Sequence, residues 1–204
     1  AFDGRLGVPT FDELLALVVA TNARPDRLGR PLGVYPETKH PSYFEGLGLA
    51  LEPPLGDALR RHGLDRADAP VFVQSFEVSN LRRLKALTRV PLVQLIEPAG
   101  RPWDYTIGRF ARTYADMLRP EGLREIATYA RGIGVHKNLV LPRDSDDRLR
   151  TPTSLVPDAH AAGLLVHVFT LRAENQFLPA GLRHGSSLLA QGDVAGEAAL
   201  FLIA

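Results

Sequence analysis

The chain has 204 residues, 45% hydrophobic and 23% charged, with 24 Lys and Arg against 23 Asp and Glu. That length suits one domain with a real core, and the even charge argues against a protein built to grip nucleic acid. There is no cysteine, which excludes disulfides, thiolate metal sites and cysteine nucleophiles, and the longest apolar run, residues 14–20, is far short of the ~20 residues that span a membrane.

The elements follow in chain order. Pro9 and Thr10 open a helical pattern over Phe11, Leu14, Leu15, Leu17 and Val18, with Thr10 placed to cap it and Asp12 and Glu13 in its first turn. Residues 32–39 read as a short strand running into a loop. Residues 54–62 read as a helix stopped by Gly63. A β-branched and aromatic strand is predicted at 71–76, an amphipathic helix at 77–87 and a strand at 91–96. An irregular stretch, 97–112, precedes a helix predicted over 114–130. The pattern then gives a strand at 133–141, a helix at 154–162, a strand at 164–171 and a closing helix at 193–204.

Five near-continuous apolar strands, each followed by a helix, point to a parallel sheet covered on both faces. No G-x-G-x-x-G or Walker loop supports a nucleotide-binding open sheet. A (β/α)8 barrel needs eight strands and about 250 residues, so five strand–helix units make only part of one.

In such barrels functional groups gather at the C-terminal ends of the strands. The polar residues there are Glu37, Thr38, Lys39 and His40; Gln74 and Ser75; Gln94 and Glu97; His136 and Lys137; and His167, Arg172, Glu174 and Asn175. Glu37-x-Lys39 is the sharpest pattern. Residues i and i+2 of a strand share a face, so a carboxylate and one of only three lysines stand together. An ordinary ion pair satisfies the same spacing, and so does a site for a metal and a phosphate oxygen. His167 lies mid-strand among apolar residues, which fits a satisfied core histidine or a substrate-facing one. His62 and His160 fall on predicted helices and read as surface groups. The run from Asp144 to Asp147 lacks the Gly of a calcium loop, because Arg148 and Leu149 follow, and it reads as a solvated turn. Trp103, Asp104 and Tyr105 sit in the long irregular stretch, where loops over a barrel mouth often bind ligands.

The runs VYPETKHP (34–41), VFVQSFEVSNLRRLK (71–85) and PTSLVPDAHAAGLLVHVFTLRAEN (152–175), taken in order, resemble the glycerophosphodiester phosphodiesterase family, most closely its longer bacterial periplasmic-type members. The opening PTFDELLALV and the closing GDVAGEAALF extend the likeness over nearly the whole chain. The resemblance implies an α/β fold, a TIM (β/α)8 barrel, of which residues 1–204 would be a single partial domain holding strands three to seven. It implies a metal-dependent hydrolase of a small-molecule substrate: a glycerophosphodiester is cleaved to an alcohol and glycerol 3-phosphate. The cofactor would be a divalent metal, calcium or magnesium, held by three carboxylates, with two histidines as acid and base. By resemblance Glu37 is a metal ligand and Lys39, His167 and Phe169 are substrate-binding residues.

No residue before Glu37 is a histidine, so the family's His-Arg motif and its second histidine have no counterpart, and none of the six histidines is assigned a catalytic role. Ala1 is accordingly expected to be a cut edge and the 204 residues alone to be inactive. No nucleic acid and no membrane span are expected as partners, and no sequence signal bears on oligomeric state. The likeness to exported members implies a periplasmic or secreted location, with the cytoplasm also open. Two other functions fit the same barrel: a non-catalytic binder of phosphodiesters or a protein partner, and a phospholipid-cleaving relative that uses an internal hydroxyl.

Overall fold

Helix α1 (Phe11–Asn22) starts where its cap dictates: the Thr10 hydroxyl accepts from Glu13 N–H while the Glu13 carboxylate accepts from Thr10 N–H at 2.7 Å. The computed structural model describes residues 4–5, 7–26 and 29–203, so Ala1 and Ala204 lie outside the described residues. After α1 come α2 (Pro41–Gly46), α3 (Glu52–Arg61), strand β1 (Val73–Ser75), α4 (Val78–Leu87) and β2 (Leu92–Ile96). Then follow α5 (Trp103–Ile107), α6 (Tyr114–Met117), α7 (Pro120–Ala127), β3 (Gly132–His136), α8 (Leu155–Ala161), β4 (Leu165–Phe169) and α9 (Val194–Phe201). Among the described residues no helix is long and apolar enough to cross a membrane.

The strands form one parallel sheet in the order β1-β2-β3-β4. The segment 32–39, predicted as a strand, joins β1 only through two parallel bridges, Val34 with Val71 and Glu37 with Gln74. The reason is Pro36. Val34 N–H donates to Pro70 O, Phe72 N–H to Val34 O, Gln74 N–H to Pro36 O and Thr38 N–H to Gln74 O, all within 3.1 Å. The one bond missing from this ladder is the one that a proline nitrogen cannot donate.

Other departures have equally local causes. The helix predicted over 114–130 is two, because Arg119 before Pro120 is extended (φ −70, ψ 159), as a residue preceding proline prefers. The strand predicted over 133–141 ends at His136 in a 3-10 turn, 137–139. The irregular stretch 97–112 contains α5, and the Pro-initiated α2 was not foreseen.

Register divides the sheet into two faces. Val71, Val73, Leu92, Ile96, Ile133 and Val135 turn outward and are buried with Leu81 and Leu84 of α4, Leu123 and Ile126 of α7 and Leu155 of α8. Each such side chain contributes about 1.5–3 kcal/mol on burial. The inward face carries Tyr35, Glu37 and Lys39, then Phe72, Gln74 and Phe76, then Val93, Leu95 and Glu97. It continues with Gly132, Gly134 and His136, and ends with Leu165, His167 and Phe169. The sheet is curled over this face, because Tyr35 and His167 on its two edge segments meet at 2.7 Å. By register His167 lies level with Lys39, yet it reaches Tyr35, four residues earlier. Such a stagger is what closing a barrel requires. Four strands and a bridged segment give an incomplete barrel, and the β4 edge stays half exposed while β2 is buried throughout.

Glycine permits the curl. A Cβ on Gly132 would lie 2.9 Å from the Leu165 carbonyl oxygen, whereas the nearest atoms to one on Gly134 are side-chain ones, the Leu95 methyl Cδ2 at 2.6 Å and Val93 Cγ1 at 3.4 Å. A methyl tip can rotate away and a backbone carbonyl cannot. Gly132→Ala should therefore lower stability by about 1–3 kcal/mol, and Gly134→Ala by less. Thermal unfolding of the two variants checks the order.

Candidate functional site

The bridge at Glu37 places the Glu37-x-Lys39 pair at the C-terminal end of the sheet, on its concave side. Lys39 Nζ stands 3.2 Å from Glu37 Oε1, so the shared face expected from spacing is realised. The carboxylate is the sheltered partner, with 21% of its side chain exposed, while the ammonium is 71% exposed and free to turn toward a ligand. Both line a cleft of about 250 Å³ together with Phe76, Glu77, Glu97, Arg101, Trp103 and Tyr114.

Each of these reaches the cleft by a definite route. Phe76 and Glu97 continue the inward faces of β1 and β2. Trp103 opens α5, and Arg101 lies in the loop entering it, braced by donating to Phe110 O at 2.9 Å. Glu77, two residues past β1 and immediately before α4, reaches across to α2: it accepts from Ser42 N–H at 3.1 Å and from the Ser42 hydroxyl. Burial pushes its carboxyl above the usual range, against those two bonds, and nearby Asp104 adds to the rise. Burial, with Glu97, Asp104 and Glu77 around it, raises the Tyr114 phenol, which stays protonated as a donor. Nothing in the spacing of Glu77, Arg101 or Tyr114 marked them; only their convergence does.

The remaining strand-end residues divide by face. Gln74 and His136 turn inward. Ser75 and Gln94 turn outward under the helices, where Gln94 accepts from Tyr129 OH at 3.0 Å and donates to Phe76 O. Lys137 is also turned away: it is buried, 2.8 Å from Glu197 of α9, which Arg143 contacts at the same distance. Arg172 and Glu174 pair with each other at the surface, and Asn175 is buried as a loop brace donating to His184 O and Ser187 O. His62, expected at the surface, is partly buried there, with its Nε2 3.0 Å from the half-exposed Asp12. Asp144 accepts from Asp146 N–H and Arg148 N–H, which makes the acidic run the turn that was predicted.

Phe169 lies at the mouth, edge-on to Phe76 and His136 at 6.2 and 6.1 Å between ring centres. His136 Nδ1 accepts from Asn138 N–H at 3.2 Å, which leaves the ring proton to Nε2. His167 is deeper, packed edge-on against Phe72 and hydrogen-bonded to Tyr35. Burial raises the Tyr35 phenol, which stays protonated in its 2.7 Å hydrogen bond with His167 Nδ1.

Burial holds both His136 and His167 below the ordinary histidine value. Each therefore binds fewer protons folded than unfolded. Their stabilising share is whole above the unfolded value of about 6.5 and fades as pH falls below it. Between pH 7.5 and 5 the unfolding midpoint of the native chain should drop more steeply than that of His167→Phe; parallel curves would contradict this.

The sequence pattern of the glycerophosphoryl diester phosphodiesterase family matches residues 2–187. A glycerophosphodiester phosphodiesterase of Arabidopsis thaliana, GDPD6, is 31% identical over 189 residues, covering 87% of this chain and 48% of its own length. One from Haemophilus influenzae is 26% identical over 161 residues, covering 72% and 43%. The chain thus spans about half the length of the curated relatives it matches. A solved Agrobacterium tumefaciens structure assigned to the same kind of protein aligns over 80% of this chain and 51% of its own, with 21% identity and a TM-score of 0.47.

Proposed function

This chain belongs to the glycerophosphoryl diester phosphodiesterase family, and from that premise we propose that its protein hydrolyses glycerophosphodiesters, such as glycerophosphocholine, to an alcohol and glycerol 3-phosphate. The observation that carries the reading is the Glu37–Lys39 pair lining a cleft at the C-terminal end of a parallel sheet. That is the end at which barrels of this kind place their chemistry.

The cleft suits a phosphodiester in charge and shape. Lys39 and Arg101 are cations that would orient its anionic oxygens, and Tyr114 offers a neutral hydroxyl donor. Trp103 and Phe76 provide apolar walls for the glycerol carbons and exclude water. His167 and Phe169, on the same concave face, would contact the substrate farther along it. No group among the described residues is assigned as the acid or base.

The family is generally dependent on a divalent metal, and calcium or magnesium suits carboxylate ligands. Among the described residues no three carboxylate or imidazole groups converge closely enough to hold an ion. Glu37 fits as one such ligand by its chemistry and its partial burial, but the described residues do not complete a set. A bound divalent ion would neutralise charge building on the phosphoryl oxygens.

In the full-length protein, Glu37→Gln should reduce glycerol 3-phosphate release by at least about 100-fold, since it removes a charge aimed at the reacting group. Lys39→Ala should raise KM with a smaller effect on kcat. Hydrolysis at the native level in Glu37→Gln would overturn the assignment. The 204 residues assayed alone should release no product from glycerophosphocholine; turnover by them would show that the described residues suffice.

A further inference from the structure

Beneath the Glu37–Lys39 pair lies a buried polar chain that the proposed chemistry does not use. Thr38 stands between the two, and because alternate residues face opposite ways its side chain turns outward, where the residue is 4% exposed. Its hydroxyl donates to Asn80 Oδ1 at 2.6 Å. Asn80, fully buried at the start of α4, donates from Nδ2 to Glu52 Oε1 at 2.8 Å. Arg83, one turn along α4, donates from Nε to the same oxygen at 2.7 Å, and its NH2 reaches Glu45 of α2 at 3.0 Å.

A buried carboxylate is an expensive way to pack two helices, and apolar side chains of the same volume often do so as well or better. Glu52 is 2% exposed, and its second oxygen, Oε2, has no partner among the described residues. A chain of directional bonds supplies position, which dispersion contacts do not. This segment has one ladder bond fewer than a complete strand. Its ladder to β1 is interrupted at Pro36, the residue immediately before Glu37, so the backbone bonds there hold the pair less firmly than a complete strand would. The Thr38 side chain adds an anchor one residue on.

We propose that Thr38, Asn80, Glu52 and Arg83 form a positioning relay that holds the Glu37 carboxylate and the Lys39 ammonium at the cleft, with α3 and α4 as its fixed ends. The proposal rests on Glu37 and Lys39 being the cation- and phosphate-facing pair. None of the four touches substrate; they act by fixing the peptide on which the pair is carried.

The test uses the full-length protein, with Mg²⁺ or Ca²⁺ titrated directly by calorimetry alongside kcat and KM for glycerophosphocholine. Thr38→Val keeps the shape and removes the donor. It should weaken cation binding about 10-fold, as is usual when a partner behind a ligand is lost. Thr38→Ser, which keeps a hydroxyl, should recover most of that. Asn80→Ala should have a similar effect, and the double variant with Thr38→Val should bind little worse than the poorer single one, since both break one chain. If Thr38→Val does not fold, Arg83→Lys, at the half-exposed end of the relay, should weaken cation binding in the same sense by a smaller factor. A lower melting temperature with native cation affinity in the variants that fold would mean that the chain is only structural, and would overturn the proposal. Glu37→Gln separates the two ideas. If it binds the cation as the native protein does, the reading of the pair fails. If it loses binding while Thr38→Val or Arg83→Lys retains it fully, the relay alone fails.

Discussion

The register of the parallel sheet is the constraint from which the placement of every group at the cleft follows. Pairing Glu37 with Gln74, Gln74 with Val93, Val93 with Gly132 and Gly132 with Leu165 puts one set of alternate residues inside the curve and the other under the helices. A slip of one residue on any strand would exchange them, sending a carboxylate into the helix layer and a valine to the cleft. Apart from Gln94, the outward set on the middle strands is apolar and buried, so such a slip would cost several buried side chains at once. The hydrophobic layer thereby fixes the position of polar residues that contribute little to it.

The same layer contains a small number of polar groups, and each ties two elements together. Gln94 joins β2 to Tyr129 and to the turn after β1. Glu197 receives Lys137 and Arg143, with both cations also donating to Phe177 O, which locks α9 and the 175–177 turn against the end of β3. Asp65 accepts from the Thr88 hydroxyl and Arg89 N–H, fixing the turn that leads into β2. Such buried charges are retained only where partners satisfy them, and the satisfied geometry is specific.

At the cleft the polar groups are arranged differently. Glu37, Glu77 and Glu97 stand beside Lys39 and Arg101, so that carboxylates and cations share the cleft. This mixture is what the proposed reading, an anionic substrate held beside a cation, calls for. On β1 the inward Phe72, Gln74 and Phe76 are less buried than the outward Val71, Val73 and Ser75, whereas β2 is buried on both faces.

Much of this was legible in the residues. The apolar runs and helix stops predicted the order of strands and helices, Thr10 predicted its own cap, and Glu37-x-Lys39 predicted a shared face, because all of these depend on contacts within a few residues of chain. Two of the elements misjudged were decided by a single backbone group: Pro36 interrupting a ladder and Pro120 extending the residue before it, both visible in the sequence but outweighed by apolar periodicity. Which of the polar strand ends would face the cleft could not be read without register, so Gln94 and Lys137 looked equivalent to Glu97 and His136 until the strands were paired. Local patterning determined the alternation, the family likeness and the one conspicuous acid–base pair. Only the tertiary structure decided that Glu77, Arg101 and Tyr114 join that pair and that Thr38 hangs from Asn80 and Glu52, because convergence of residues up to 77 positions apart (Glu37 to Tyr114) is set by the curl of the sheet and leaves no trace in sequence spacing.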